Sequence, residues 1–80
     1  MWTVYIIQAE SGKLYTGITN DLDRRLEEHR EGNRGARFFR FSGPKKLLFS
    51  ESHPNRSEAS KREAEIKKMS RQQKLALIAL

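Results

Sequence analysis

Cysteine is absent from the 80 residues, proline occurs twice and long apolar runs are missing. Without cysteine the chain can form neither a disulfide bond nor a thiolate metal site, and a cysteine nucleophile is excluded. The longest apolar runs, residues 4–7 and 75–80, are far shorter than the roughly 18 residues that a membrane-spanning helix needs. The N-terminal residues show no basic segment or cleavage site that would mark an exported protein. We therefore expect one cytoplasmic domain that comprises residues 1–80.

Acidic residues are also fewer than basic ones: the chain has 10 Asp and Glu and 16 Lys and Arg, which gives a formal net charge of +6. The excess lies beyond the first quarter of the chain. Residues 24–46 carry eight Lys and Arg against three acidic residues, and residues 47–80 carry seven against four. This balance favours a polyanionic partner, first of all a phosphate backbone. A solvated basic surface without a partner is the alternative.

The first quarter of the chain predicts a β-hairpin. Residues 2–8 (WTVYIIQ) and 13–19 (KLYTGIT) are rich in the β-branched and aromatic residues that are typical of strands. Glu10, Ser11 and Gly12 suit a three-residue loop between the strands, with Gly12 in its left-handed position. This loop length sets Tyr5 opposite Gly17.

The same register brings the two tyrosines of the hairpin together. Tyr15 lies opposite Ile7, so Tyr5 and Tyr15 share one face as diagonal neighbours. Core packing alone would explain tyrosines in half-buried strands. Because Gly17 has no side chain, we expect space beside Tyr5 for a ligand or for another backbone segment.

A first helix is predicted over residues 22–31 (LDRRLEEHRE), with Asn20 as its N-cap. Arg25 and His29 are four residues apart and therefore lie together on its surface. Taken alone, each of them could simply be a solvent-exposed side chain without a role in a site.

A third strand and two further helices complete the predicted fold. The strand covers residues 45–52, a helix capped by Ser57 covers residues 58–69, and a capping box at Ser70 precedes a helix over residues 74–80. The order β-β-α-β-α-α predicts a small α+β domain in which helices cover a three-stranded sheet.

Glu63 stands out in the second of these helices because it falls inside the apolar stripe. At 100° per residue it lies about 40° from Ala59, on the side that also carries Ile66. A carboxylate in a buried stripe is costly unless something compensates it. A Lys or Arg at the edge of the stripe is one such partner. A divalent metal is the other, since Mg²⁺ often binds through one or two carboxylates and keeps several waters.

Two tripeptides carry a resemblance to a known family. VYI at residues 4–6 and YTG at residues 15–17 resemble the paired motifs that name the GIY-YIG nuclease superfamily. The runs YTGITNDLDRRLEEH and RSEASKREAEIKKMS resemble the small stand-alone bacterial members of its YhbQ-like group. The resemblance covers residues 2–77 and implies a three-stranded antiparallel sheet flanked by helices.

The resemblance also implies roles for five residues. Glu63 would bind one Mg²⁺ or Mn²⁺, and Arg25 would bind the scissile phosphate. Tyr5 or Tyr15 would activate or orient the attacking water. In several relatives a histidine follows the arginine by one turn, and His29 occupies that place as a candidate proton relay.

The function that we expect is a nucleic-acid-binding, divalent-metal-dependent endonuclease, with DNA favoured over RNA. A tyrosine is a poor base at neutral pH unless a nearby cation lowers its pKa. Arg25 and the metal would supply such cations, so we expect Tyr5 to activate the attacking water and Tyr15 to orient the phosphate or the water. Val4 replaces the first glycine of the family motif, and Leu75 stands where some relatives carry asparagine. Substrate choice would come from the domain surface or from a protein partner. The alternative is a non-catalytic nucleic-acid-binding or protein-interaction module on the same fold.

Arginines alternate with phenylalanines between the first helix and the third strand. The cations are expected to follow a phosphate backbone and the rings to stack on bases, unless the rings only pin this segment to the sheet. The predicted nucleic-acid contacts are Arg34, Arg37, Arg40, Lys45, Lys46, Phe38, Phe39 and Phe41.

Overall fold

Three strands and three helices follow one another in the predicted order, β-β-α-β-α-α. The structure, a computed structural model, describes residues 1–31 and 44–80, and it describes the backbone alone for residues 29–31 and 44–45. The elements are β1 (Trp2–Ala9), β2 (Leu14–Thr19), α1 (Leu22–Glu31), β3 (Pro44–His53), α2 (Arg56–Lys67) and α3 (Arg71–Ile78). The predicted α+β class is therefore confirmed. Within the described ranges, no helix has the length and apolar character needed to cross a bilayer.

The sheet places β1 in the centre, with the order β2-β1-β3 and antiparallel pairing on both sides. Tyr5 pairs with Gly17, and Ile7 pairs with Tyr15, which confirms the predicted register. The pairing of β1 with β3 is interrupted by two irregularities, after Ile6 and after Gln8.

The loop of the hairpin explains this register. Gly12 adopts a φ of +90°, and its N–H donates to the carbonyl of Ala9 at 2.9 Å. The N–H of Ala9 donates in turn to the carbonyl of Lys13, also at 2.9 Å. These bonds close a three-residue loop whose last position favours glycine, as predicted.

The core is divided between the two faces of the sheet, because successive side chains of β1 point in opposite directions. On one face, Val4 and Ile6 pack with the buried Ala59 and Ile66 of α2. On the other face, Tyr5, Ile7 and Ala9 form a second cluster. Partly buried residues of the hairpin and of α1 pack against this second cluster: Tyr15, Leu22 and Leu26.

Two of the three predicted N-caps are wrong. The side chain of Asp21, not that of Asn20, accepts the N–H of the third residue after it, at 3.1 Å. Asn55, not Ser57, does the same for α2 at 2.9 Å, because it is the last extended residue before that helix, with a φ of −154°. The predicted capping box at Ser70 is confirmed, and α3 begins directly after it rather than three residues later.

Candidate functional site

The two tyrosines lie together on the sheet face that α1 covers. Their ring centroids are 6.3 Å apart and the rings are tilted by 44°. Tyr5, on the central strand, is only 1% exposed, whereas Tyr15, on the edge strand β2, is partly exposed. The pair therefore has one buried phenol and one that solvent can reach.

Gly17 allows Tyr5 to occupy its position. A Cβ atom at residue 17 would lie 2.7 Å from Oη and 2.8 Å from Cζ of Tyr5, and 3.1 Å from the ring of Tyr15. Real Cβ atoms do not approach other atoms this closely. The space that we expected beside Tyr5 for a ligand is thus taken by the ring of Tyr5 itself, and that expectation is wrong.

Arg25 of α1 completes this face of the site. Its guanidinium makes a side-chain hydrogen bond with the Tyr5 hydroxyl. Its Nη1 also lies 3.5 Å from Oε1 of Glu28, one turn further along the helix, in a partly exposed ion pair. The N-terminal half of α1 thus places a cation directly against the buried phenol.

The pKa of Tyr5 shows which of these influences is larger. Burial raises the pKa of Tyr5 to about 12, although the hydrogen bond from Arg25 lowers it. Smaller contributions from the neighbouring Tyr15 and from the carboxylate of Glu63 also raise the pKa, and the value of about 12 includes them. Arg25 therefore lowers the pKa of Tyr5, as predicted. Burial outweighs this effect, so the pKa lies above its usual value, whereas we expected it to lie below. At neutral pH the Tyr5 phenol keeps its proton and is a hydrogen-bond donor rather than a base.

Glu63 approaches the site from α2. Its side chain is 22% exposed and lies between the buried Ala59 and Ile66 along the helix. Oε2 of Glu63 is 3.4 Å from Nζ of Lys67, so a lysine compensates the carboxylate in this structure. Glu63 contributes the smallest of the influences on the pKa of Tyr5, so its carboxylate lies within electrostatic reach of the phenol.

Glu63 offers a single carboxylate, which fits a cation that keeps most of its bound water molecules. The described side chains include no group of three or more carboxylates or imidazoles that could enclose a metal. A site of one carboxylate is compatible with Mg²⁺, which often takes one or two carboxylates and retains several waters. The side chain of Lys67 is 56% exposed, so its pair with Glu63 is weak and would yield to a divalent cation.

The structure thus brings together Tyr5, Tyr15 and Arg25, and Glu63 lies within electrostatic reach of Tyr5. His29 lies four residues after Arg25 in α1, but its side chain is outside the described part of the chain. Lys46 is exposed on β3. The other predicted nucleic-acid contacts are outside the described side chains: Arg34, Arg37, Arg40, Lys45, Phe38, Phe39 and Phe41.

An ionic group that the sequence did not predict joins β3 to α2. Oε1 of Glu51 lies 2.8 Å from Nε2 of His53 and accepts a hydrogen bond from Nε of Arg62 at 3.0 Å. Strand alternation could have placed Glu51 and His53 on one face. Arg62 lies eleven residues from Glu51 in another element, and no local pattern connects them.

Comparison with known proteins gives a consistent result. The sequence profile of the GIY-YIG catalytic domain matches residues 1–76. The chain is 47% identical over 77 residues to a UPF0213 protein of Desulfotalea psychrophila, covering 96% of this chain and 70% of that protein. It is 46% identical over 76 residues to a UPF0213 protein of Clostridium perfringens, covering 95% and 81%. The close relatives are small proteins of the YhbQ-like group, as the sequence predicts.

A solved structure agrees with the fold. The solution NMR structure of a UPF0213 protein from Bacillus halodurans is 39% identical and superimposes with a TM-score of 0.62. The match covers 99% of this chain and 84% of that one. The arrangement of strands and helices is therefore shared with an experimentally determined relative.

Proposed function

This chain belongs to the GIY-YIG catalytic-domain family, and on that premise we propose that it is a divalent-metal-dependent endonuclease that hydrolyses phosphodiester bonds, most favourably in DNA. GIY-YIG domains form a nuclease superfamily. The observation that carries the proposal is the hydrogen bond between Arg25 and Tyr5, beside Tyr15 and within electrostatic reach of Glu63.

Arg25 is the phosphate-binding residue in this proposal. Phosphodiester hydrolysis requires positive charge where charge develops on the phosphate oxygens. A guanidinium offers N–H donors in a planar fork that matches phosphate geometry, and it stays protonated at every physiological pH. The bond to Tyr5 fixes the orientation of this fork before substrate arrives.

The two tyrosines have different roles. Tyr5 is buried and protonated, so it orients Arg25 and does not act as the base that the sequence suggested. Tyr15 is partly exposed and can contact the phosphate or the attacking water directly. We assign the proton relay to His29, which follows Arg25 by one turn of α1.

Glu63 would hold the Mg²⁺ or Mn²⁺ ion. A bound divalent cation supplies positive charge near the scissile phosphate and favours ionisation of water. Lys67 pairs with Glu63 at 3.4 Å, and the carboxylate would have to give up this pair to hold the cation. The protein would act in the cytoplasm on DNA, with a protein partner or its own surface selecting the substrate.

The proposal is tested by cleavage assays on branched, single-stranded and supercoiled DNA and on RNA, with Mg²⁺, with Mn²⁺ and with a chelator. Glu63→Gln removes the proposed metal ligand. Glu65→Gln is the matched control, because Glu65 is 63% exposed on the same helix and pairs with Arg62. We expect metal-dependent cleavage that Glu63→Gln abolishes and Glu65→Gln preserves. Nucleic-acid binding without cleavage of any substrate would instead favour the non-catalytic module.

A further inference from the structure

An open groove lies where the hairpin loop meets the start of α3. It has a volume of about 260 Å³ and is lined by Lys13, Leu14, Arg71 and Lys74. None of its three cations pairs with a carboxylate in the described part of the chain. The groove therefore concentrates positive charge that no acidic side chain of the described ranges neutralises.

Arg71 is held in place at the wall of this groove. Its Nη1 donates to the carbonyl oxygen of Gly12 at 3.0 Å, across 59 residues of sequence. The positive φ of Gly12 shapes the loop that presents this carbonyl. A guanidinium has five N–H donors, and a bond to a neutral carbonyl leaves its charge intact. Since the side chain is already ordered, binding an anion here costs less conformational entropy.

The shape and charge of the groove favour a phosphate group of a polymer over a small molecule. Sites for small molecules are usually enclosed and lined mainly by apolar side chains. This groove is open to solvent, and Leu14 is its single apolar lining residue. Lysine and arginine side chains around an open surface are typical of contacts to a nucleic-acid backbone.

The groove lies near the tyrosine face along β2. Lys13 precedes Tyr15 by two residues, which is about 7 Å along a strand. Leu14 packs with the cluster of Val4 and Ile6, on the face of the sheet opposite to Tyr15. A nucleic-acid backbone that contacts both the groove and Tyr15 would therefore pass the edge of the sheet that β2 forms.

We propose that Lys13, Arg71 and Lys74 form a second phosphate-binding site, which holds the nucleic-acid backbone outside the site around Tyr5 and Arg25. This inference rests on the proposed function, because it assumes that the substrate is a nucleic acid. It assigns binding to residues of the hairpin loop and α3, outside the arginine-rich segment that the sequence indicated.

The test compares binding of a 16-base-pair duplex by the wild type and by the double variant Lys13→Ala/Lys74→Ala. The probe is longer than the 28 Å extent of the protein, which corresponds to about eight steps of duplex DNA. Lys61→Ala is the control. Lys61 lies on α2, outside the groove, and its side chain is 70% exposed, so this substitution removes one positive charge at another place on the surface. Arg71 is left unchanged since it also supports the loop. Circular dichroism and thermal unfolding establish that the variants are folded.

We expect the double variant to bind about tenfold more weakly in moderate salt, and the slope of log K against log salt to fall by about 2 in magnitude. Lys61→Ala should change neither quantity appreciably. A double variant that matches Lys61→Ala in affinity and salt slope would overturn the second site, while cleavage by the wild type would leave the proposed function intact. A wild type that neither binds nor cleaves nucleic acid would overturn both.

Discussion

Replacing Gly17 by alanine should destabilise the protein through a direct collision with Tyr5. The new Cβ would lie 2.8 Å from Cζ of Tyr5, about 0.7 Å inside the shortest favourable carbon–carbon separation. Tyr5 is buried and hydrogen-bonded to Arg25, so its ring cannot move without disturbing the core. Overpacking of this kind costs up to about 3 kcal/mol. Replacing a strand glycine by alanine recovers up to about 1 kcal/mol, which leaves a net loss of about 2 kcal/mol.

Thermal unfolding measures this loss. For a domain of this size, about 2 kcal/mol corresponds to a decrease in Tm of roughly 8–16 °C. A double-mutant cycle with Tyr5→Phe identifies the collision as the cause, because removing Oη eliminates the contact at 2.7 Å and should reduce the cost. Gly12→Ala is the control, since a Cβ there meets nothing within 4 Å and its cost arises from the positive φ alone. A Gly17→Ala protein that melts within a degree of the wild type would refute the reasoning.

Three further predictions concern the pKa of Tyr5, the cap of α2 and the partner of Glu63. The folded state holds the Tyr5 proton more tightly than the unfolded state, with a pKa of about 12 against 10, so its contribution is complete below pH 10. Stability measured against Tyr5→Phe should therefore fall by about 3 kcal/mol between pH 10 and pH 12, and parallel curves would contradict the burial of the phenol. Asn55→Ala should cost about 1 kcal/mol in urea unfolding, and Ser57→Ala much less, because only Asn55 caps α2. Lys67→Ala should tighten Mn²⁺ binding by up to about fivefold in calorimetric titration, since it removes a competitor worth at most about 1 kcal/mol; weaker binding than in the wild type would contradict competition between Lys67 and the cation for Glu63.

Features determined by a few adjacent residues could be predicted from the sequence. The loop that ends at Gly12 determines the hairpin register, and that register pairs Tyr5 with Gly17. The spacing of Ser70 and Gln73 predicted a capping box because both partners lie within one turn.

Features that depend on packing between distant elements could not be predicted. The pKa of Tyr5 rises because α1 and the strands together remove the phenol from water, and no local pattern measures that burial. The apparent space at Gly17 is filled by a side chain from the neighbouring strand. The N-caps were displaced by one or two residues, since several residues that can cap a helix are adjacent there.

The measurement that tests the proposed site most directly is the single-turnover cleavage rate of Arg25→Ala beside that of Arg24→Ala, each with its DNA affinity. The two arginines are neighbours on α1, but Arg24 is exposed and only Arg25 bonds to Tyr5. We expect Arg25→Ala to lose cleavage by about 10²-fold or more while it keeps most of its affinity, as when one charge-stabilising group is removed. Arg24→Ala should cleave at close to the wild-type rate. Equal rates for the two variants would contradict the assignment of Arg25, and with it the site built around Tyr5.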